Sequence, residues 1–289
     1  MMAAMSQPMD GLKAKLDKLE QQLQSLFEST QEDLEIARHL QKLLMPNRLP
    51  DIHGLKCLAR YISSHELAAE SFDIIPADNK REVWMLTSWT SSFGLGSVLV
   101  QSLIHLKAQG LFKGGRDNLT PEEAFDEITQ SMTEAQKKAT YRLGVVRLDM
   151  NSLKLKGCSI GMPPLLYRPR EKNNFGPWSY AQPEALVRDP RLLERADSQQ
   201  PVSSAKAYRW EFQLPPGSRF FLLGKEWNPE TNLETWMKPL ALTQPAAGTL
   251  LEDLNHLLMR AEDHLKASSH KADLTALAFE LDSRVLHLA

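Results

Sequence analysis

The chain predicts an α+β fold in which two antiparallel sheets pack together, flanked by helices, behind an N-terminal helical stem. Three observations carry this. Leu12 to Met45 holds no Gly or Pro, and Leu12, Leu16, Leu19, Leu23 and Leu26 are spaced 4-3-4-3, the seam of a coiled coil. Short strand-like runs dominate the chain beyond Pro50. Helical stretches are set among those runs without strict alternation, which favours a sandwich over a parallel α/β sheet. With 289 residues, 42% of them apolar, the chain can bury one sizeable core and still carry an appendage. Residues 1–46 are expected to form the stem and 47–289 the domain.

The stem register breaks where Thr30 and Asp33 fall on the seam, then resumes at Leu34, Ala37 or Ile36, Leu40 and Leu44, until Pro46 and Pro50 end the helix. Leu55 to Ile62 reads as a strand, and Phe72 to Pro76 and Glu82 to Trp89 read as a hairpin around Ala77-Asp78-Asn79-Lys80. Gly96 to Gln109 is apolar on several faces and reads as a buried helix. Thr120-Pro121-Glu122-Glu123 is a helix start, with Thr as cap and Glu three residues later, and that helix is expected to reach Lys138.

Tyr141 to Asp149, Leu153 to Ser159 and Leu165 to Arg168 read as an antiparallel meander, and Asn173 to Ala205 as a long loop. Trp210 to Leu214 and Arg219 to Leu223 read as a further hairpin across Pro215-Pro216-Gly217. Gly248 to Ala267 is expected to be helical, and Leu274 to Leu281 to be the last strand.

Composition excludes several classes. A formal charge of −2 leaves no basic footprint for nucleic acid. The basic run Arg168 to Lys172 contains an acid and reads as a solvated loop. Two cysteines, Cys57 and Cys158, are too few for a disulfide scaffold and fit a reducing compartment. No secretory signal is legible in the first ten residues, and no segment approaches the roughly 20 apolar residues of a membrane span. A cytoplasmic protein is expected. Gly157-Cys158-Ser159-Ile160-Gly161 matches a nucleophile elbow, but Pro163 and Pro164 forbid the helix that elbow needs.

Five segments, in order, resemble the landmarks of the protein phosphatase 2C-like family, in its bacterial SpoIIE-type branch. Ala37 to Pro46 resembles the Ala-x-x-Ile-Gln-x-x-Leu-Leu-Pro opening, and Gly54 to Tyr61 the strand after it. Ser159 to Leu166 resembles Ala-Gly-His-x-Pro-Leu-Leu, Leu214 to Phe221 the Pro-Gly-Asp segment, and Asp273 to Ala278 the closing Asp-Asp-Ile-Thr-Leu-Leu. The resemblance implies a sandwich of two antiparallel sheets and a metal-dependent serine/threonine phosphatase with Mg or Mn as cofactor.

Its metal ligands are where the resemblance fails. Ala68-Ala69-Glu70-Ser71-Phe72-Asp73 stands where the family writes Gly-Gly-Asp-aromatic-Tyr-Asp, and Ser88 to Gly94 stands where it writes Asp-Val-Ser-Gly-His-Gly. The four ligand positions thus fall on Glu70, Ser88, Lys225 and Ala272. Two divalent cations need several hard oxygen ligands, and a lysine among them costs binding energy. The expectation is a degenerate, phosphatase-like regulatory module with no catalytic residues and no metal. It would bind a protein partner in a bacterial signalling pathway and form a homodimer through the stem. The alternative is a divergent phosphatase using Glu70, Asp73, Glu226 and Asp273 with Mn or Mg.

Overall fold

The computed structural model describes residues 6–46, 48–62, 69–90, 95–113, 116, 119–130, 141–162, 165–171, 174–175, 178–180, 184–185, 207–224, 248–268 and 273–282. Helix α1 (Ser6–Leu44) is the stem. One sheet has the order β1 (Leu55–Ile62), β13 (Leu274–Leu281), β12 (Arg219–Leu223), β6 (Leu166–Arg168) and β9 (Ser179–Tyr180). The second has the order β10 (Glu184–Ala185), β11 (Ala207–Gln213), β5 (Lys154–Ile160), β4 (Tyr141–Asp149), β3 (Glu82–Thr90) and β2 (Glu70–Pro76). Strands β7 (Arg170–Glu171) and β8 (Asn174–Phe175) pair with each other. All described pairings are antiparallel.

Alternation of side chains along each strand sorts them into layers. Phe72, Ile74, Val83, Met85, Val146 and Leu148 of the second sheet meet Phe220, Leu222, Leu277, Phe279 and Leu281 of the first. At the centre, the rings of Phe220 and Phe279 stack with centroids 4.7 Å apart. The opposite face of the second sheet, with Ile75, Trp84, Leu86, Leu143 and Val145, packs on α2 (Leu95–Lys113) and α3 (Pro121–Gln130). Phe221, Leu223, Ala276 and Ala278 of the first sheet pack on Leu254, Leu257, Leu258 and Ala261 of α4 (Leu250–Ser268). The order is helix, sheet, sheet, helix, the α+β sandwich expected.

Local signals hold where they are local. In the β2–β3 hairpin, Ala77 N–H donates to Glu82 O at 2.9 Å, and Lys80 takes the left-handed conformation at φ 54°. Helix α3 begins as expected: Thr120 N–H donates to Glu123 Oε2 at 2.9 Å, and Glu123 N–H to Thr120 Oγ1 at 3.2 Å. Its expected end near Lys138 lies outside the described residues.

Several expectations need correction. Trp210 to Leu214 and Arg219 to Leu223 do not form a hairpin, because β11 pairs with β5 in one sheet and β12 with β13 in the other. Leu214 N–H still donates to Leu153 O, whereas Leu281 N–H donates to Ser218 O, so the chain changes sheets across Pro215-Pro216-Gly217. Prolines lack the N–H that a ladder needs, and Gly217 supplies the positive φ of 78°. The meander also breaks. After β5 the chain turns at Gly161, with φ 63°, and β6 joins the other sheet beside β12.

Asn173 to Ala205 contains β8, β9 and β10, with residues 186–205 outside the described residues. Within the basic run Arg168 departs from the solvated loop expected, since it is 5% exposed and lies beside Asp253 Oδ1 at 3.5 Å, whereas Arg170 is exposed and Lys172 lies outside the described residues. Asp253 also accepts from Arg219 Nη1 at 2.7 Å, which ties α4 to the sheet beneath it. Helix α2 is buried on two sides only, and Leu99 and Leu106 are exposed.

Phe279→Ala should lower unfolding free energy by about 3–5 kcal/mol, because a fully buried ring leaves a cavity between two sheets that cannot easily collapse. A urea melt within about 1 kcal/mol of wild type would show that this layer is not the core.

Candidate functional site

The row that begins at Glu70 is read from strand register. Glu70 pairs with Trp89, and Trp89 pairs with Arg142, so the three lie side by side on one face of the second sheet. That face is the inner one, since Phe72 and Ile74, two and four residues beyond Glu70, belong to the inter-sheet core. Across the gap stands Gly224, whose N–H donates to Thr275 O at 2.8 Å. Any side chain at Gly224 would collide with the Glu70 carboxylate, so the missing Cβ is what admits that acid. Glu70 is 1% exposed.

Asp273 closes the same end from the other sheet. Its Oδ2 accepts from Ala69 N–H at 2.7 Å and from the Tyr61 hydroxyl at 3.2 Å. Glu70 and Asp273 are therefore brought to one sheet edge from opposite ends of the domain sequence. Lys225, Ala272 and Glu226 lie outside the described residues, although Gly224 and Asp273, next to the first two, are at this edge.

Ser88 and Asp73 are not on this face. Ser88 pairs with Ser71, one residue off the Glu70 row, and the two hydroxyls are 2.6 Å apart on the side that carries the helices. Trp89 takes the inner position at that point of β3. Asp73, three residues from Glu70, also faces the helices. Its Oδ2 lies 3.3 Å from His105 Nδ1 and accepts from Gln109 Nε2 at 3.2 Å, while its Oδ1 accepts from Ile74 N–H at 2.9 Å. Asp73 thus anchors α2 to β2 instead of joining Glu70. Among the described residues, no three His, Cys, Asp or Glu side chains come together as metal ligands.

A polar chain connects the stem to this edge. Gln101 Nε2 donates to Ala69 O at 2.8 Å and lies 3.4 Å from Thr90 Oγ1, which contacts Ser97 Oγ. Gln41 of α1 makes a longer, 3.5 Å contact to Gln101 Oε1. Ala37 of the stem packs on Val98 of α2, with Leu34, Leu40, Leu44 and Leu95 around them. The stem backbone is helical through Leu12, Leu16, Leu19, Leu23 and Leu26, whose side chains lie outside the described residues.

Sequence reasoning did not single out Arg142, Tyr61, Thr275 or Trp89 as residues of this edge. Counting by twos from Glu70 through the β2–β3 hairpin would have exposed Trp89 as the inner residue. Arg142 could not have been found this way, because its place in the row depends on the β3–β4 register across two intervening helices.

No protein-family model matches the chain, and no curated protein does. Solved structures do. The SiaA-PP2C domain of Pseudomonas aeruginosa superposes with TM-score 0.62 at 12% identity, covering 89% of this chain and 99% of that one. The RsbU and RsbW domains of Rv1364c from Mycobacterium tuberculosis give 0.59 at 15% identity over 81% of this chain, which spans 62% of theirs. The PP2C phosphatase domain of SpoIIE from Bacillus subtilis, with a fragment of its regulatory domain, gives 0.54 at 13% identity, covering 79% of this chain and 64% of that one. The chain has the fold of the PP2C-type phosphatases.

Gly224→Ala should cost about 1–3 kcal/mol through overpacking against Glu70. Adding Glu70→Gly should recover most of that loss, and non-additivity in a double-mutant cycle of chemical melts is the readout. Additive effects would separate the two residues.

Proposed function

We propose that the protein is a phosphatase-like regulatory module that binds a protein partner at this sheet edge and does not hydrolyse phosphate. The observation that carries the reading is the donor set. Trp89 stands on the inner face where a ligand would be needed, Ser88 points into the helix layer, and Asp273 is held by two hydrogen bonds of its own. The described residues do not fit a pair of Mg²⁺ or Mn²⁺ ions, which require several carboxylate or water oxygens in near-regular geometry. By resemblance Lys225 and Ala272 take the two remaining ligand positions, and neither residue type supplies an anionic oxygen. Divergent catalysis through Glu70, Asp73, Glu226 and Asp273 would need Asp73 on the inner face, and it is on the other.

The setting we propose is bacterial cytoplasmic signalling, with the stem as the means of self-association. No helix among the described residues is long and apolar enough to cross a membrane. Thr30 and Asp33, which fall on the seam, are exposed, which supports a stem that stands clear of its own domain there. Ile36 and Leu43 of α1 and Leu99 and Leu106 of α2 are exposed at 52%, 67%, 49% and 65%, an apolar surface suited to a second copy. The contact of Gln41 with Gln101, and of Gln101 with Ala69, supplies a path by which stem pairing would reach the Glu70 edge.

Calorimetric titration with Mn²⁺ should show no site-specific binding, and phosphopeptide hydrolysis with Mg²⁺ or Mn²⁺ should be absent. Lys225→Asp should leave both unchanged, because Ser88 and Ala272 still supply no anionic oxygen. Robust metal-dependent turnover by the wild type would overturn the reading.

Charged residues at Leu16 and Leu23 should convert a dimer to monomers in light scattering while the domain melts as before. Each buried leucine contributes about 1.5–3 kcal/mol to a helix seam. A lower melting temperature with unchanged mass would instead mean that these leucines pack on their own domain.

A further inference from the structure

We infer that the open edge of β1 takes up an extended segment of a partner protein as an added strand, antiparallel to β1, with an acidic residue opposite Arg60 and an aliphatic one opposite Leu58. This goes beyond the proposed function, whose partner surface is the Glu70 edge. That edge lies past Ile62, which pairs with Leu274 beside Asp273, whereas the groove described below lies at the Leu55 end of the strand.

Strand β1 ends its sheet and pairs with β13 alone. Gly54 O faces β13, since it accepts from Asp282 N–H, and Leu55 N–H faces away, to Ile52 O. Alternation carries this along the strand, so Cys57 and Ala59 turn their N–H and C=O to the open side. Nothing among the described residues pairs with those amides. The corresponding edge of the second sheet is blunted instead: on β2 the Ile74 N–H donates to Asp73 Oδ1, and Pro76 has no N–H to offer. The remaining sheet ends, β9 and β10, are two residues long. The long edge left open for strand addition is therefore β1.

The surroundings select the guest. Beside Leu58 the first turn of α4 leaves a groove of about 560 Å³, lined by Leu49, Ile52, Leu58, Leu250 and Leu251, which receives an aliphatic side chain. Arg60 is exposed and stands opposite Ala276, so no acid of β13 answers it. Lys56 by contrast pairs with Glu280 at 3.6 Å. Asp51 and Asp282 line the far end of the groove. The edge thus carries a cation at one end and acids at the other, and the matching strand has the reverse polarity. A second copy fits poorly, because two β1 strands paired antiparallel about Leu58 would set Lys56 against Arg60.

The probe is the end-blocked peptide Thr-Glu-Val-Leu-Val-Thr-Thr-Lys, which sets Glu opposite Arg60, Leu opposite Leu58 and Lys beside Asp51. The control, Thr-Lys-Val-Leu-Val-Thr-Thr-Glu, has the same composition with the charges exchanged. Fluorescence anisotropy with the full chain should show saturable binding of the probe, with a Kd below about 1 mM, and binding about tenfold weaker for the control. Arg60→Glu should weaken the probe about tenfold. Ala59→Pro should abolish binding and spare the ladder to β13, because proline is tolerated where an edge N–H faces outward. In NMR hydrogen exchange the Cys57 and Ala59 amides should exchange fast in the free chain and slowly with the probe bound. No saturable binding, equal affinity for the two peptides, an undiminished affinity in Arg60→Glu, or binding retained by a folded Ala59→Pro would overturn the inference. Should Ala59→Pro fail to fold, Arg60→Glu and the amide exchange still decide. Slow exchange at both amides in the free chain would also overturn it: protection that rises with protein concentration means a second copy holds the edge, and protection independent of concentration means the chain covers it itself.

Discussion

Burial of two inner sheet faces against each other is the constraint on which the rest of the molecule depends. Each sheet has an apolar face that water would penalise, and packing Phe72, Ile74 and Met85 against Phe220, Leu277 and Phe279 removes both at once. Hydrophobic packing has no direction, but a strand does. Once those residues are fixed inward, the alternation of each strand decides which polar residues reach the same edge. Glu70 follows Phe72 and Ile74 inward, whereas Ser71 and Asp73 must turn outward. The composition of the site is thus a by-product of how the core is packed.

The outward residues acquire a different role. Asp73 with His105 and Gln109, and Thr90 with Ser97 and Gln101, form hydrogen-bonded contacts between the second sheet and α2. Apolar contacts hold a helix on a sheet without fixing its position along the groove, and buried polar pairs add that specificity. Helix α2 is in turn covered by the last turns of the stem through Ala37 and Val98. A displacement of the stem at Gln41 would therefore be felt at Gln101, and through Gln101 at the carbonyl of Ala69, one residue from Glu70.

What was legible in the sequence depended on range. The β2–β3 hairpin and the Thr120 cap were readable because the residues that form them are neighbours in the chain. The helical stem was readable because no Gly or Pro interrupts Leu12 to Met45 and helical spacing holds on both sides of the break at Thr30 and Asp33. The sheet change across Pro215-Pro216-Gly217 was not, since a strand followed by a turn and a strand looks like a hairpin whichever sheet the second strand joins. The edge shared by Glu70 and Asp273 was visible through ordered resemblance. The facing of Ser88 was not, because one residue of register moves a side chain from one layer to another. Arg142 carried no signal at all, since its neighbours in space are set by strands paired at a distance.

Asp273 contributes to closing the same edge. In the first sheet its carboxylate sits just before β13, and its partners are the Ala69 N–H, at the entry to β2 of the second sheet, and the Tyr61 hydroxyl on β1. The acid therefore clips the two sheets together at the end where the hydrophobic core runs out. Hydrogen bonds to a charged acceptor contribute about 1.5–3 kcal/mol each, comparable with burial of a large aliphatic side chain. A cation drawing on the same oxygen would have to compete with both donors and loosen the contact between sheets. The carboxylate that stands second in the closing Asp-Asp pair of the resemblance is, in this chain, part of what holds the sandwich closed.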